Sequence, residues 1–410
     1  MISKVGRLSK SILAAVVPLI GALAFAECPE GKIEVVRTNP SGKTHTQCVS
    51  ENAAAGMGQA ADNSAGTVTY ATFTPLGELV PGGSYGHQMW DISADGSTIV
   101  GIAKSLSGFE AFRWTETDGM IGLGDFDGGR FFSAAFGVSA DGSVVVGRGE
   151  EDLNFHWPFR WSADTSGMVA LGDCAGDLGS TGAYGISDDG TTIAGACEGT
   201  IYRWLDGAGG IDEQVVYEGL DQSVPFDISA DGSAIVGQVY KGSEPFAGYF
   251  YEAFRWTESG GMQPLGTVGD GHGSTAFGMS PDGSVVVGRY SGHGSFPMRW
   301  TEATGMVPLA GGGGYARDAS TEGLVIVGEL FCGDASRAVL WLQGGDPLFI
   351  EDVLESQGID LSNWWLLSAR VVTPDGRTIA GEGVVNPPAT CEEIDDDVDK
   401  QLWVATLPLP

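Results

Sequence analysis

Six of the Asp-Gly pairs recur at near-even spacing, at Asp95, Asp141, Asp189, Asp231, Asp282 and Asp375, and Glu322-Gly323 fills the one gap in the series. Carboxylates serve as general acids and bases and as ligands of hard cations, so an evenly spaced set of them is the first candidate for chemistry. Their recurrence argues otherwise. A carboxylate that returns at the same place in every copy of a unit is making a turn. Asp-Gly between apolar runs is a hairpin signal, because a type I′ turn needs positive φ at both central positions. Arg113, Arg160, Arg203, Arg255 and Arg299 each precede a tryptophan. By the same logic they are structural, bonding a neighbouring carbonyl or carboxylate.

Residues that do not recur are better candidates for a site. Phe155-His156-Trp157, Tyr249-Phe250-Tyr251 and Trp364-Trp365 are aromatic clusters in or near segments that vary from copy to copy. His156, Trp157, Tyr249, Tyr251, Trp364 and Trp365 are therefore the candidate ligand contacts, as rings that stack on a sugar or a peptide. The competing reading makes them loop anchors packed on the scaffold. His87, His156, His272 and His293 fall in four different connections with no His-x-His or His-x-x-x-His spacing, so no metal site is assigned to them. Glu392, Glu393, Asp395, Asp396, Asp397 and Asp399 form an acidic run without the Asp-x-Asp-x-Asp-Gly spacing of a calcium loop. It reads as a solvated loop with at most weak calcium affinity. There is no Gly-x-Ser-x-Gly elbow, P-loop or dinucleotide fingerprint. No catalytic residue and no cofactor are assigned.

The elements that must position these residues are repeats. The Asp-Gly series has a period of about 47 residues, in the range of solenoids, propellers and arrays. Trp114, Trp161, Trp204, Trp256, Trp300, Trp341 and Trp403 give the same count, one per copy. In the second copy, residues 133–139 read as a first strand, Val144-Val145-Val146 as a second, Phe159-Arg160-Trp161 as part of a third, and residues 167–171 as a fourth. Four short strands with period-2 patterning and no helical spacing are the unit of a propeller blade. A lone fourth strand, residues 72–77, precedes the first Asp-Gly, and the last copy lacks one. Pairing the two closes the ring and removes the open sheet edges. The expected fold is all-β: a seven-bladed β-propeller with four antiparallel strands per blade, closed by an N-terminal strand.

The unit Gly-(Val/Ile)-Ser-Ala-Asp-Gly-Ser-x-(Ile/Val)-Val-Gly, then Ala-Phe-Arg-Trp, then Gly-Met-x-x-Leu-Gly, resembles the HAF-type extracellular repeat family of bacteria. The match covers most of residues 70–410. The His-Ala-Phe tripeptide of that family stands here as Glu110-Ala-Phe112, Trp157-Pro-Phe159 and Glu252-Ala-Phe254, so no repeated histidine is present. The resemblance implies an exported protein of propeller-type repeats and supplies no catalytic residues. Ser280-Pro-Asp-Gly-Ser284 also looks like repeats of TolB-type propellers, which would imply a periplasmic interaction scaffold.

Residues 1–26 read as a secretory signal: Lys4, Arg7 and Lys10, a short apolar run, then Ala24-Phe25-Ala26. Residues 27–50 are a small segment bracketed by Cys28 and Cys48, residues 51–66 a flexible linker, and residues 67–410 the propeller. Export makes disulfides the default. Cys28–Cys48, Cys174–Cys197 and Cys332–Cys391 are the candidate pairs, although spacing alone leaves the last four cysteines with three connectivities. The net charge of −32 repels nucleic acid and anionic membrane. In a four-stranded blade the connections after the second and fourth strands share one face, and here that face carries the variation. The expectation is a secreted or periplasmic, monomeric, non-enzymatic propeller, its mature chain not inserted in a membrane, that binds a protein or glycan on the variable acidic loop face. The alternatives are a propeller-type polysaccharide lyase or hydrolase and a TolB-like scaffold.

Overall fold

The computed structural model describes residues 32–38, 44–50 and 71–408, apart from loop segments at 82–85, 153–154, 166, 172–180, 208–209, 219–222, 245–247, 334, 388–393 and 395–398. Seven four-stranded antiparallel sheets make up the molecule from residue 72 onward. The closing sheet combines Trp364–Val372, Thr378–Val385 and Lys400–Thr406 with Thr72–Pro75 from the far end of the chain. Thr72 lies opposite Thr406 and Pro75 opposite Trp403. Phe73 stacks on Trp403 with ring centroids 6.0 Å apart. A separate antiparallel hairpin pairs Lys32–Thr38 with Thr44–Ser50 and sets Cys48 opposite Glu34.

The first strands of the blades are Gln88–Ile92, Ser133–Val138, Gly182–Ile186, Val224–Ile228, Gly273–Met279, Gly314–Ala319 and Trp364–Val372. Each touches the next, and the seventh touches the first, so they line a central channel. The second strands are buried on both faces. Val144 and Val146 pack with Ala183, Ile193 and Trp204 of the third blade, while Val145 packs with Val100 and Ala111 of the first. The core is thus a series of layers between blades, which is why these strands read as unbroken β-branched runs.

The Asp-Gly turns differ from the type I′ expectation. In the first blade Ser93 and Thr98 close a four-residue loop, Gly96 N–H donates to the Ser93 carbonyl at 2.8 Å, and only Gly96 has positive φ, +74°. Asp95 instead accepts from the Ser93 hydroxyl at 2.7 Å and the Ser97 N–H at 2.9 Å. The side chain rigidifies the loop, so the backbone at Asp95 has no need of the left-handed region. The recurring arginines tie some of these turns to the preceding blade. Arg113 Nε donates to the Gly142 carbonyl at 3.1 Å and Arg255 Nε to the Gly283 carbonyl at 3.0 Å, while Arg160 pairs with Asp206 at 3.3 Å.

A helix, Ile350–Ser356, joins the sixth blade to the seventh. Seven residues are too few to show helical periodicity, and Phe349 at the N-cap gives no start signal. Its Ile350 and Leu354 are fully buried against the last two blades.

Gly142 and Gly119 separate two demands on a turn. Both have φ of +69°, but a Cβ on Gly142 would lie 2.2 Å from Thr98 Oγ1, whereas one on Gly119 meets nothing within 4 Å. Gly119→Ala should cost about 1–2 kcal/mol, from the left-handed backbone alone. Gly142→Ala should cost clearly more, because the neighbouring blade must also move. Urea denaturation of the two variants gives the difference, and equal costs would show that the turn does not press on its neighbour.

Candidate sites in the channel and on the loop face

Every first strand slips register by one residue against its second strand, at the same place in each blade, and the seventh slips once more at Leu367. At the shared place the residues that the pairing skips are Trp90, Phe136, Tyr184, Phe226, Phe277, Arg317 and Arg370. A bulge leaves one residue out of the ladder and re-aims its side chain. Here the result is a girdle of five rings and two guanidinium groups around a cavity of about 220 Å³. The bulge also explains the glycine that follows the apolar run of each second strand. A Cβ on Gly147 would sit 2.0 Å from the Ala134 carbonyl oxygen.

The rings touch in series. Trp90 meets Phe136 edge-on at 4.9 Å, Phe136 stacks on Tyr184 at 5.1 Å, and Phe226 meets Phe277 at 5.9 Å. Arg317 lies over Phe277 at 4.8 Å and over Tyr315 at 4.6 Å. Guanidinium groups this far from bulk water need a counter-charge. Arg317 has Glu329, which accepts from both Nε and Nη2, and Arg370 pairs with Glu382 at 3.1 Å. Both glutamates are almost wholly buried and follow the second-strand glycine, Gly328 or Gly381.

One residue further toward the Asp-Gly turns stand three aspartates, around a smaller space of about 80 Å³. Asp91 accepts from Ile92 N–H at 2.7 Å and from Val138 N–H of the next blade at 2.8 Å. Asp227 does the same with Ile228 and Met279, and Asp318 with Ala319 and Val372. Each carboxylate thus staples two blades. Desolvation is the main influence on all three. It pushes Asp91 and Asp318 up to about 7, against the backbone donors, and Asp227 well above the carboxylate range, with the Asp318 charge adding to it.

On the loop face a cleft of about 440 Å³ lies between the fourth and fifth blades, lined by Lys241, Phe250, Tyr251, Glu252, Thr267, His272 and Ser274 among others. The hairpin of Ala234–Glu244 and Gly248–Thr257 forms one wall, and Lys241 pairs there with Glu252 at 3.2 Å. The other wall is the connection to the fifth blade, held by Thr267 Oγ1 donating to the Gly273 carbonyl at 3.3 Å.

The residues singled out in the sequence are spread over three blades. Tyr251 lines the cleft. Tyr249 lies in the same hairpin, but its side chain is outside the described residues. His156 is buried, edge-on to Phe132 at 5.3 Å, and burial, helped by the Arg148 charge, lowers it to about 4. Trp157 follows it, partly buried. In the seventh blade Trp364 packs edge-on against Phe73 at 5.1 Å, and Trp365 Nε1 donates to the Ser336 carbonyl at 3.0 Å. Neither of the described cysteines outside the first hairpin, Cys197 and Cys332, is a free thiol. Cys28, Cys174 and Cys391 lie outside the described residues, as does most of the acidic run at 392–399. Among the described residues, no group of three or more His, Cys, Asp or Glu is placed to hold a metal ion, and no helix is long and apolar enough to cross a membrane.

The girdle is the part that motif reading passes over, yet it leaves a trace. Each of its members stands five residues before the acidic residue of its turn, and that position reads Trp, Phe, Tyr, Phe, Phe, Arg, Arg along the chain.

No family model matches the chain, and no curated protein does. Among solved structures it is similar to the oligogalacturonate lyase of Vibrio parahaemolyticus, at 11% identity over 92% of this chain and 97% of that one, with a TM-score of 0.52. It is also similar to the β-propeller domain of the Trilobed protease of Pyrococcus furiosus, at 10% identity over 79% and 94%, TM-score 0.49. TolB of Acinetobacter baumannii matches at 14% identity, TM-score 0.43, over 62% of this chain and 63% of its own length. At such identities the likeness is one of fold.

The titration of the buried groups sets the pH dependence of stability. Asp91, Asp227 and Asp318 have folded pKa values above the unfolded one, so the folded state gives up stability as pH rises from about 4 through 7. The turn aspartates have lowered values, Asp141 about 2, so their contribution is lost as pH falls below about 4. His156 opposes the three buried acids between 6.5 and 4, as one group against three. The melting temperature should therefore peak near pH 4–5 and fall toward pH 8. Asp91→Asn and Asp318→Asn should flatten the alkaline limb. A melting temperature that climbs steadily from pH 4 to 8 would show that these carboxylates are ionised at little cost.

Proposed function

We propose that this chain is an exported, non-enzymatic binding propeller that takes a glycan on its loop face, in the cleft between the fourth and fifth blades. The cleft is the observation that carries the reading. It combines the ring of Tyr251 with the Thr267 hydroxyl, His272 and the Lys241–Glu252 pair. An aromatic surface bordered by a few convergent polar groups suits a sugar ring, which has an apolar face and a hydroxyl rim. The cleft is built from segments that vary between copies, on a scaffold whose opposite face repeats.

Export belongs to the same proposal, with the signal-like residues 1–26 and the likeness of the repeat to HAF-type extracellular sequences in its support. The pairs Cys28–Cys48, Cys174–Cys197 and Cys332–Cys391 are proposed with it. Mass mapping of unreduced peptides should return these three links, and any other connectivity would refute them.

A second reading has its own observation. Tyr251, His272 and Lys241 are the side-chain types that can remove or deliver a proton, and a lyase would use them on an acidic sugar. Purified residues 27–410, applied to a glycan array with and without calcium, test the first reading. Selective binding should weaken about tenfold or more in Tyr251→Ala, as expected for a lost stacking contact and its polar neighbours. Silence on every glycan would overturn it. Unsaturated product from oligogalacturonate, lost in His272→Ala, would favour the lyase.

A further inference from the structure

We propose that the central channel is a second binding site, for a small planar carboxylate: one aromatic ring bearing one acid group, seated in the girdle with its carboxylate on Arg317 and Arg370. The cavity of about 220 Å³ is below the ~300–1,000 Å³ of sites for drug-sized ligands, so it suits a single ring and excludes an oligosaccharide. Its wall supplies ring faces and edges from Trp90, Phe136, Tyr184, Phe226 and Phe277. Flat ligands gain from such surfaces through offset stacking and edge contacts.

The two arginines decide the charge of the ligand. Aromatic rings alone would also accept a cation, but guanidinium groups in the same wall repel one. Arg317 and Arg370 come from adjacent blades and are fixed before any ligand arrives. Arg317 spends Nε and Nη2 on Glu329 and keeps Nη1 clear of that contact. Arg370 uses Nη2 for Glu382, and its buried Nε has no hydrogen-bond partner. Guanidinium edges held in this way match the two oxygens of a carboxylate, and their prior ordering removes part of the entropy cost of binding.

Further charged groups lie on either side of the girdle. Arg148 and Arg289, which lie over Phe136 and Tyr315 at 5.5 and 5.6 Å, follow the second-strand glycine on the loop side of the girdle. Asp91, Asp227 and Asp318 lie on the turn side.

Benzoate is the probe, with benzamide as the flat uncharged comparator and cyclohexanecarboxylate as the charged comparator without a flat ring. Calorimetry on residues 27–410, with the emission of Trp90 followed in parallel, should give saturable benzoate binding about tenfold or more tighter than benzamide, the scale of one charge-assisted hydrogen bond, and about three- to tenfold tighter than cyclohexanecarboxylate, the scale of one aromatic contact. Trp90→Phe should remove the optical change and leave the heat. Arg370→Gln with Glu382→Gln deletes the ion pair without stranding a buried charge, and should weaken benzoate about tenfold or more on the same scale. If that double variant does not fold, Phe226→Leu takes its place and should weaken all ring-bearing probes. Tyr251→Ala, in the loop-face cleft, should leave benzoate binding unchanged, so the two sites stand or fall separately. Equal affinity for benzoate and benzamide, equal affinity for benzoate and cyclohexanecarboxylate, or no saturable binding would each overturn the proposal.

Discussion

Each blade is held to the next through the innermost strand and the turn that follows it. Along the ring, Ala140 N–H donates to the Asp188 carbonyl, Asp188 to Ala230, Ala230 to Pro281, and Thr321 to Pro374, at 2.8–3.0 Å. These bonds run between sheets and not within them. They fix the spacing at which the apolar layers between blades close, and so decide how near the inner strands come to the axis. The stapling aspartates occupy the same contact in three blades. In three others a glycine takes that position (in the seventh it is Val371), and the approach is tight: a Cβ on Gly278 would lie 2.5 Å from the Arg317 carbonyl oxygen. Backbone-to-backbone contact at the axis therefore comes first, and the girdle fills whatever room it leaves.

The count of blades and the sharing of the last one were legible because they rest on short-range signals that recur: Asp-Gly, Phe-Arg-Trp, and a strand motif with its partner missing. The turn was legible in place and not in type. Asp-Gly alone suggests two residues of positive φ, but the serines on either side supply donors that hold Asp95 in an ordinary conformation. The bulges were not legible, because every copy carries the extra residue and the spacing between copies shows no insertion. A residue such as Phe136 then reads as one more member of an alternating strand.

The candidate site divides in the same way. Tyr251 was visible as an aromatic in a variable segment, and the structure gives it a cleft. His156 and Trp365 were visible for the same reason, yet the one is packed against Phe132 and the other donates to a backbone carbonyl. A loop that must cover an apolar layer and a loop that must meet a ligand both recruit large rings. Only the neighbours distinguish them, and these come from other blades. Arg317 and Arg370 show the converse. Their meaning depends on Glu329 and Glu382, twelve residues further along the chain in each case, and nothing local marks either pair.

The closing sheet also orders events in time. The Thr406 N–H and the Thr72 hydroxyl are 334 positions apart along the chain, whereas the other pairings between strands of one blade are local. Such a span carries the loop-closure entropy of nearly the whole domain, and contacts of that range form late and slowly. Six sheets can assemble as their strands arrive, each against the one before. The seventh must wait for the last strand and then capture the first. Until it does, Thr72–Pro75 has no partner, and the open face of the first blade awaits its neighbour. The interval before capture is when the chain is most open to pairing with another copy of itself.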